Sequence, residues 1–157
     1  MSKVAFIADV HVGNHRQHGG AIRRGLNERC WRVINVLSAA RERAEALGAE
    51  ALVVLGDLFD KHVPSPQMVA EAISALTPRT YGMKIILLAG NHEQNTEAAG
   101  DHALAPLKFV DNFTVVDKPA ALCLHSDVLL LVPFSRKQNL TYYKKCFSQH
   151  ASDKESV

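Results

Sequence analysis

Short apolar runs rich in β-branched residues alternate with longer segments of helical periodicity through the first part of the chain. Runs at residues 3–8, 51–55 and 84–89 predict buried strands. Residues 26–47 place apolar side chains on one side and charged side chains on the other, which predicts an amphipathic helix. A second helical segment precedes the third strand. Two strand, helix, strand units predict an α/β fold, a layered sheet with helices on its faces whose first strands are parallel through βαβ crossovers.

Capping residues set the predicted helix boundaries. Asn27 is a favourable N-cap and Gly48 a favourable C-cap for the first helix. Ser65 as N-cap and Pro66 at the first helical position begin the second helix. Further along, the weaker pattern predicts a short helix, three strands, a last helix and a loosely held tail, at residues 103–109, 113–116, 120–124, 128–132, 140–147 and 151–157.

Size and composition fit one folded unit, so we expect a single domain over residues 1–157. The chain is 47% hydrophobic, enough to bury one core, and its net charge of +2 decides little about partners. The longest apolar stretch, at residues 128–134, is too short to span a bilayer, and no signal-peptide pattern precedes the first strand. Three widely spaced cysteines predict reduced thiols. We therefore expect a cytoplasmic protein with no membrane partner.

Polar clusters follow each of the three predicted strands. In an open parallel sheet, ligands bind beyond the carboxyl ends of the strands, so these clusters are expected to meet at one edge. Each cluster consists of side chains that hard metal ions prefer. The clusters are Asp9 with His11, Gly56 with Asp57 and Asp60, and Gly90 with Asn91 and His92.

Asp9, His11, Asp57 and Asn91 are the candidate metal ligands. Two carboxylates, an imidazole and an amide oxygen suit Mn²⁺, Fe²⁺ or Zn²⁺, and they differ from the thiolate set of a structural zinc site. Carboxylates held close together repel one another unless a cation lies between them. Taken singly, each residue has a simpler interpretation, as a turn, cap or surface side chain. Their repetition at three strand ends favours the metal site.

These segments also resemble a known family. Asp9-Val10-His11, Gly56-Asp57-Leu58-Phe59-Asp60 and Gly90-Asn91-His92-Glu93 are similar to the first three motifs of the calcineurin-like metallophosphoesterases. Within that superfamily, the Leu58-Phe59-Asp60 segment, Pro64-Ser65 and the segment at residues 103–107 resemble the SbcD-type DNA double-strand-break repair nucleases, including their phage relatives.

The resemblance implies a role for each residue of the cluster. Asp9 and His11 would hold one metal ion, Asp57 would bridge two, and Asn91 would hold the second. His92 would protonate the leaving oxygen or stabilise the transition state, so it is a candidate catalytic residue. Asp60 is the other candidate, as a residue that orients His92 or the nucleophile, with helix capping as the alternative. Two metal ions in such a site activate a water molecule and bind the phosphate for in-line attack.

The resemblance further predicts that the site is incomplete here. The family completes its centre with a histidine after a later strand and a Gly-His-x-His motif, and the sequence contains no such motif. His125 and His150 are the remaining candidates, and neither has the setting of a ligand. We expect a C-terminally truncated N-terminal portion of the family domain. We therefore expect one metal ion, most readily Mn²⁺, on the Asp9 side.

The predicted function is metal-dependent phosphodiester hydrolysis, as a DNA nuclease in double-strand-break repair or recombination. The resemblance implies DNA, an SMC-like ATPase subunit and a second copy of the chain as partners. Two alternatives remain open. One is a phosphatase or small-molecule phosphodiesterase of the same superfamily, and the other is a non-catalytic binding or regulatory module with a partial metal site.

A basic segment beside the predicted site is the candidate nucleic-acid contact. Residues 14–29 contain several arginines and histidines but one acidic residue, Glu28. Guanidinium groups there could neutralise backbone phosphates without reading sequence. The alternative is an ordinary solvated loop, since no aromatic platform for bases lies within the segment. The candidate contacts are Arg16, Arg23, Arg24 and, further along, His62.

Overall fold

A computed structural model describes residues 2–80, 82–96, 101–125, 127–136 and 139–151. The helices are α1 (Glu28–Ala46), α2 (Pro66–Leu76) and α3 (Leu140–Ala151), with a 3₁₀ helix at Ala105–Phe109. The strands are β1 (Val4–Ile7), β2 (Ile22–Arg23), β3 (Leu26–Asn27), β4 (Ala51–Val54), β5 (Lys84–Leu88), β6 (Phe113–Val116), β7 (Ala120–Leu124) and β8 (Asp127–Leu131).

Within the described residues, the main sheet has the order β1-β4-β5-β6, and each neighbouring pair is parallel. Val4 lies opposite Ala51, and Ala51 lies opposite Lys84, so β1, β4 and β5 begin at the same level of the sheet. The carboxyl ends of β1, β4 and β5 are therefore side by side. This confirms the predicted α/β fold with parallel crossovers, and β6 adds a parallel strand whose direction the sequence pattern leaves open.

Alternate residues of the central strands face two apolar layers. Leu52 and Ile85 belong to the main core, which α1 and α2 complete on one face of the sheet. Val53 and Ile86 belong to a second cluster, with Leu124 and other residues of the antiparallel β7–β8 hairpin. Strands buried on both faces read as continuous apolar runs, which explains the pattern in the sequence.

The α1 helix begins two residues later than the pattern predicts. Leu26 pairs with Arg23 in a short β2–β3 hairpin, so the prediction of helix at residues 26 and 27 is wrong. Asn27 is nevertheless the N-cap, and its side chain accepts a hydrogen bond from the Cys30 N–H at 2.8 Å. Gly25, with φ of 77°, allows the chain to turn sharply before the helix.

The C-terminal end of α1 lies one residue earlier than predicted. Leu47 is the C-cap, and Gly48 follows it with φ of 69°. The Gly48 N–H donates to the Glu45 carbonyl oxygen at 2.9 Å, and the Ala49 N–H donates to that of Ala44 at 3.0 Å. This pair of bonds is the Schellman motif, in which glycine lies just beyond the cap and not at it.

A buried ion pair joins α1 to the loop after α2. Arg41 is 2% exposed, contacts Glu45 Oε2 at 2.6 Å and donates to the Ala75 carbonyl oxygen at 3.2 Å. Glu45 Oε1 accepts hydrogen bonds from the N–H groups of Arg79 and Thr80 and from the Thr80 hydroxyl. Burial alone would raise the pKa of Glu45, but together these donors stabilise the carboxylate more strongly and lower its pKa to about 2.

The later elements follow the prediction with shifted ends. The strands at residues 113–116 and 120–124 are as predicted, and the last strand begins and ends one residue earlier than expected. Helix α3 continues to Ala151, so residues 148–151 are helical, and the rest of the predicted tail, residues 152–157, lies outside the described residues. The three cysteines are free, and none of the described helices has the length and apolar character needed to cross a bilayer.

Candidate metal centre

The predicted ligands lie where the parallel strands end. Asp9 and His11 follow β1, Asp57 follows β4, and Asn91 and His92 follow β5. Asp9, His11 and Asp57 each place one ligand atom within 4.8 Å of the others. The structure therefore brings these three side chains to one point at the edge of the sheet.

Asp9, His11 and Asp57 share an unusual backbone conformation. Each has φ of 52°, in the left-handed region that residues with a side chain seldom adopt. Such a conformation costs of order 1 kcal/mol or more and persists only where the surrounding structure holds it. The chain is thus strained at the residues whose side chains must point toward one another.

Asp57 connects the three loops that carry the cluster. The His11 N–H donates to the Asp57 carbonyl oxygen at 2.9 Å, and the Val12 N–H donates to that of Leu58 at 2.8 Å. The His92 N–H donates to Asp57 Oδ1 at 3.0 Å. Backbone bonds thereby fix the first loop against the second, and the third loop holds the carboxylate itself.

Glu93 is a buried acid whose role the sequence pattern does not reveal. Its side chain is fully inaccessible to water, and Oε2 accepts from the N–H groups of Asp57 at 3.0 Å and Gly90 at 2.9 Å. Oε1 accepts from the Phe59 N–H at 2.8 Å. Burial raises the pKa of Glu93, and the N–H groups partly oppose that rise. One carboxylate therefore holds the loops after β4 and β5 together, and the signal available in the sequence was its place directly after His92.

Gly90 is required by the close approach of Asp57. A Cβ atom at position 90 would overlap Asp57 Oδ1 and the Asp57 backbone nitrogen, and it would lie 2.8 Å from Glu93 Oε2. Gly56 has φ of 92° and packs against Gly90, since a Cβ atom there would lie 3.0 Å from the Gly90 Cα. Both glycines let the ligand loops touch.

His92 is oriented by the backbone of Asp60. His92 Nδ1 lies 3.0 Å from the Asp60 carbonyl oxygen, which can only accept, so Nδ1 carries the proton and Nε2 is left for a substrate. The ring stands edge-on to that of His11 with centroids 4.6 Å apart. The Asp60 carbonyl raises the pKa of His92 above its usual range. The nearby charges of Asp57, Asp60 and Glu93 add to that rise, and burial opposes it.

The Asp60 carboxylate faces two other histidines. Its oxygens lie 3.9 Å from His11 Nδ1 and 3.9 Å from His15 Nδ1. His11, Asp60 and His92 form a second group whose ligand atoms lie within 4.8 Å of one another. Ser65 caps α2, with its hydroxyl accepting from the Met68 N–H, so the alternative role of Asp60 as that helix cap is wrong.

The residues present fit a divalent cation. His11 Nδ1 is buried, and together with His102 Nδ1 it is one of the buried side-chain nitrogens without a hydrogen-bond partner in the described part of the chain. An unpaired buried polar atom costs about 1–3 kcal/mol, a cost that coordination of a cation by Nδ1 itself would offset. Carboxylate oxygens and an imidazole, with no thiolate among them, match Mn²⁺, Fe²⁺ or Zn²⁺.

The remaining predicted contact residues are exposed. Asn91 is exposed in the turn beside His92. Arg16 is exposed in the loop after β1, and His62 is exposed before α2. Arg23 and Arg24 are exposed on the β2–β3 hairpin.

Of the two later histidines, His125 lies away from the described cluster. His125 Nδ1 lies 2.6 Å from Glu50 Oε2 at the tip between β7 and β8. Glu50 precedes β4 whereas Asp57 follows it, so His125 is at the opposite end of the sheet from the cluster. The side chain of His150 lies outside the described residues.

Carboxylates and imidazoles gathered at the carboxyl edge of an α/β sheet are typical of metal-dependent hydrolases. The chain belongs to the calcineurin-like phosphoesterase family, because the profile of that family matches residues 2–152. This confirms the resemblance carried by the three motifs. Members of the family use divalent metal ions, in agreement with the donor set found here.

Two curated relatives share the name DNA double-strand break repair protein Mre11. The protein of Archaeoglobus fulgidus is 32% identical over 95 residues, which are 60% of this chain and 20% of the relative. That of Methanopyrus kandleri is 25% identical over 115 residues, 73% of this chain and 23% of the relative. The chain thus spans about a fifth to a quarter of these proteins. The crystal structure of Pseudomonas putida nuclease MPE aligns with a TM-score of 0.47 and 23% identity, over 88% of this chain and 56% of that one.

Proposed function

We propose that the protein hydrolyses phosphodiester bonds in DNA with divalent metal ions, as a nuclease of double-strand-break repair or recombination. The observation that carries the proposal is the convergence of Asp9, His11 and Asp57 in left-handed backbone, beside an oriented His92. Metal ions in such a site activate water and neutralise the phosphate. The name shared by the two archaeal relatives supports DNA as the substrate.

Each residue of the cluster has a separate proposed role, as a metal ligand or in proton transfer. Asp9 and His11 would hold one cation, and Asp57, whose carboxylate lies between the loops, would contribute to it. By the family resemblance, Asn91 would hold a second cation in a complete ligand set, and Asp57 would serve that one as well. His92 presents Nε2 to the phosphate or the leaving oxygen, since Nδ1 is fixed to the Asp60 carbonyl. Its role is in proton transfer and charge stabilisation and does not require coordination.

The finer features rest on the family resemblance. Mn²⁺ is the proposed metal, with an SMC-like ATPase and a second copy of the chain as proposed partners. A cytoplasmic location is proposed as well, and the free thiols of Cys30, Cys123 and Cys146 support a reducing compartment.

Calorimetric titration with Mn²⁺ tests the ligand assignment. Asp57→Asn should abolish binding, because Asp57 would serve either cation, whereas Asp9→Asn should weaken it. Asp111→Asn, an exposed aspartate in the turn before β6, is the control of equal chemistry and should bind as the unaltered chain does. Equal and small losses for the Asp57 and Asp9 variants would contradict the bridging role.

Hydrolysis assays test the substrate. DNA and bis-p-nitrophenyl phosphate are diesters, and p-nitrophenyl phosphate is a monoester. We expect Mn²⁺-dependent cleavage of diesters in preference to the monoester by a protein that carries the complete ligand set, and loss of that cleavage in Asp57→Asn. Preferential hydrolysis of the monoester would identify a phosphatase instead.

A further inference from the structure

Two shallow grooves meet on the outer side of α1. The first, of about 490 Å³, lies between the β2–β3 hairpin and α1, and its lining includes Arg23, Arg24, Trp31 and Arg32. The second, of about 370 Å³, lies between α1 and the end of β1. Its lining is mostly apolar, with Val33 and Val36 among its residues, and its charged residues are Arg29, Arg32 and Asp9 of the metal centre. Because Arg32 lines both, the surface is continuous from the candidate ligand Asp9 to Trp31.

Positive charge predominates along this surface. Arg23, Arg24, Arg29 and Arg32 are all exposed. The acids on the surface are Asp9, at its metal-centre end, and Glu28, whose Oε2 lies 3.7 Å from Arg32. Four arginines against two acids leave the surface net positive, with guanidinium groups in excess of carboxylates. Such a local excess of guanidinium groups is suited to a chain of phosphates.

Arg24 occupies a position that favours other residues. It has φ of 50°, and Gly25 has φ of 77°, so the two form the tight turn of the hairpin between Arg23 and Leu26. Turns with two left-handed residues strongly prefer asparagine, aspartate or glycine at the first position. An arginine at this strained position favours a role for its positive charge in binding an anion.

Hydrogen bonds fix the hairpin to the metal-centre loop. The Asn14 side chain donates to the Gly25 carbonyl oxygen at 2.8 Å and accepts from the Asn27 N–H at 2.9 Å. The indole N–H of Trp31 donates to the Arg23 carbonyl oxygen at 3.1 Å. The arginines, the tryptophan and the loop after β1 are therefore held in one arrangement.

We propose that this surface binds single-stranded DNA, with an unpaired base stacked on Trp31 and backbone phosphates contacting Arg24, Arg32 and Arg29 on the way to Asp9. An aromatic face beside a basic groove is the arrangement that holds single strands without reading their sequence. Trp31 supplies the platform that the basic segment 14–29 lacks, because the helix places it against the hairpin. The direction of the strand toward Asp9 rests on the proposed hydrolytic function, whereas binding itself does not.

Intrinsic fluorescence tests the stacking directly, because Trp31 is the only tryptophan in the sequence. The whole chain is titrated in EDTA with an oligothymidylate of about ten nucleotides, a length within the usual site size. Tryptophan emission should be quenched on binding. An abasic oligomer of the same length should bind more weakly and leave the emission nearly unchanged. Equal quenching by the two oligomers, or none by either, would overturn the proposal.

Matched variants separate stacking from folding. Trp31→Leu and Trp31→Phe both lose the indole N–H, so they differ chiefly in the aromatic face. Measured by anisotropy of a labelled oligothymidylate, Trp31→Leu should bind about tenfold more weakly than the unaltered chain, and Trp31→Phe should recover most of that loss. Equal affinities for the two variants would refute a stacking role.

Charge is tested at the hairpin tip. Arg24→Asn places a residue that favours the turn, so it should fold at least as well while binding more weakly. It should also reduce the slope of log affinity against log salt concentration by about 0.7. Arg43→Ala, which removes an exposed arginine from the last turn of α1, is the control. It should leave the affinity and the slope unchanged. The same loss in both variants would mean nonspecific attraction and would contradict the site.

The outcome is separable from that of the proposed function. If oligothymidylate fails to quench Trp31 while Mn²⁺ still binds and Asp57→Asn still abolishes that binding, the DNA surface is wrong and the metal site stands. If quenching occurs in EDTA but Mn²⁺ does not bind, the surface stands and the hydrolytic proposal fails.

Discussion

Removing the buried carboxylate of Glu93 should loosen the metal centre without touching a ligand. In Glu93→Gln, the amide oxygen can take the place of Oε2 and still accept from Asp57 and Gly90. The amide NH₂ then faces the Phe59 N–H, a donor against a donor, where Oε1 accepted at 2.8 Å. Loss of a bond to a charged group, with a buried donor left unpaired, costs about 3 kcal/mol.

The consequence for metal binding follows from which residues Glu93 holds. The loops after β4 and β5 carry Asp57 and His92, and Glu93 holds the backbone of both loops. Losses of this kind around metal ligands commonly lower metal affinity or activity by about 10–100-fold. We therefore expect a free energy of unfolding in urea lower by about 3 kcal/mol, and calorimetric Mn²⁺ affinity weaker by at least about tenfold.

A matched substitution makes the measurement decisive. Glu71→Gln on α2 changes the same chemical group where, among the described residues, its oxygen accepts from the Gln67 side chain alone at 2.7 Å. It should change the free energy of unfolding by less than about 0.5 kcal/mol and leave Mn²⁺ affinity intact. If Glu93→Gln behaved like Glu71→Gln in both assays, the reasoning that assigns Glu93 the joining of the two loops would be refuted.

Two further predictions concern single residues. His92→Ala should keep Mn²⁺ affinity nearly unchanged and remove turnover in a protein with the full ligand set, and loss of the metal together with activity would contradict its role. For Glu45, the folded pKa of about 2 lies below the ordinary 4.5, so its carboxylate stabilises the fold above about pH 4.5 and this contribution disappears as pH falls toward 2. The gap in unfolding free energy between the unaltered chain and Glu45→Gln should be up to about 3 kcal/mol at neutral pH and should close near pH 2, and a gap independent of pH would refute the pKa assignment.

The sequence predicts those features that depend on short-range pattern. Parallel strands β4 and β5 are visible because each is buried on both faces and therefore continuously apolar, and β1 is also an apolar run although Phe6 is exposed. The meeting of Asp9, His11 and Asp57 follows from their place at the ends of two neighbouring parallel strands, β1 and β4. The caps Asn27 and Ser65 are visible because their side-chain chemistry acts on residues three positions away.

The features that escaped the sequence depend on tertiary contacts. The strands of the β2–β3 hairpin have two residues each, too short for any periodicity to appear. Glu93 looks like a polar residue after a motif until the fold buries it against two loops. Trp31 belongs to α1 in sequence and to the basic groove only in space, and the contact of His92 with Asp60 uses a backbone carbonyl that no pattern of side chains reports.

The left-handed backbone at Asp9, His11 and Asp57 sets two selective pressures against each other. Glycine or asparagine would relieve the strain at each position. The fold itself uses the side chain of Asp57, which accepts from the His92 N–H, and an asparagine oxygen could take over that bond. A copy of this domain that no longer needed to bind metal would therefore gain stability as substitutions removed its metal-ligating residues. Among descendants of this chain, glycine at these positions would identify a site that has lost metal binding, and the sequence alone would reveal it.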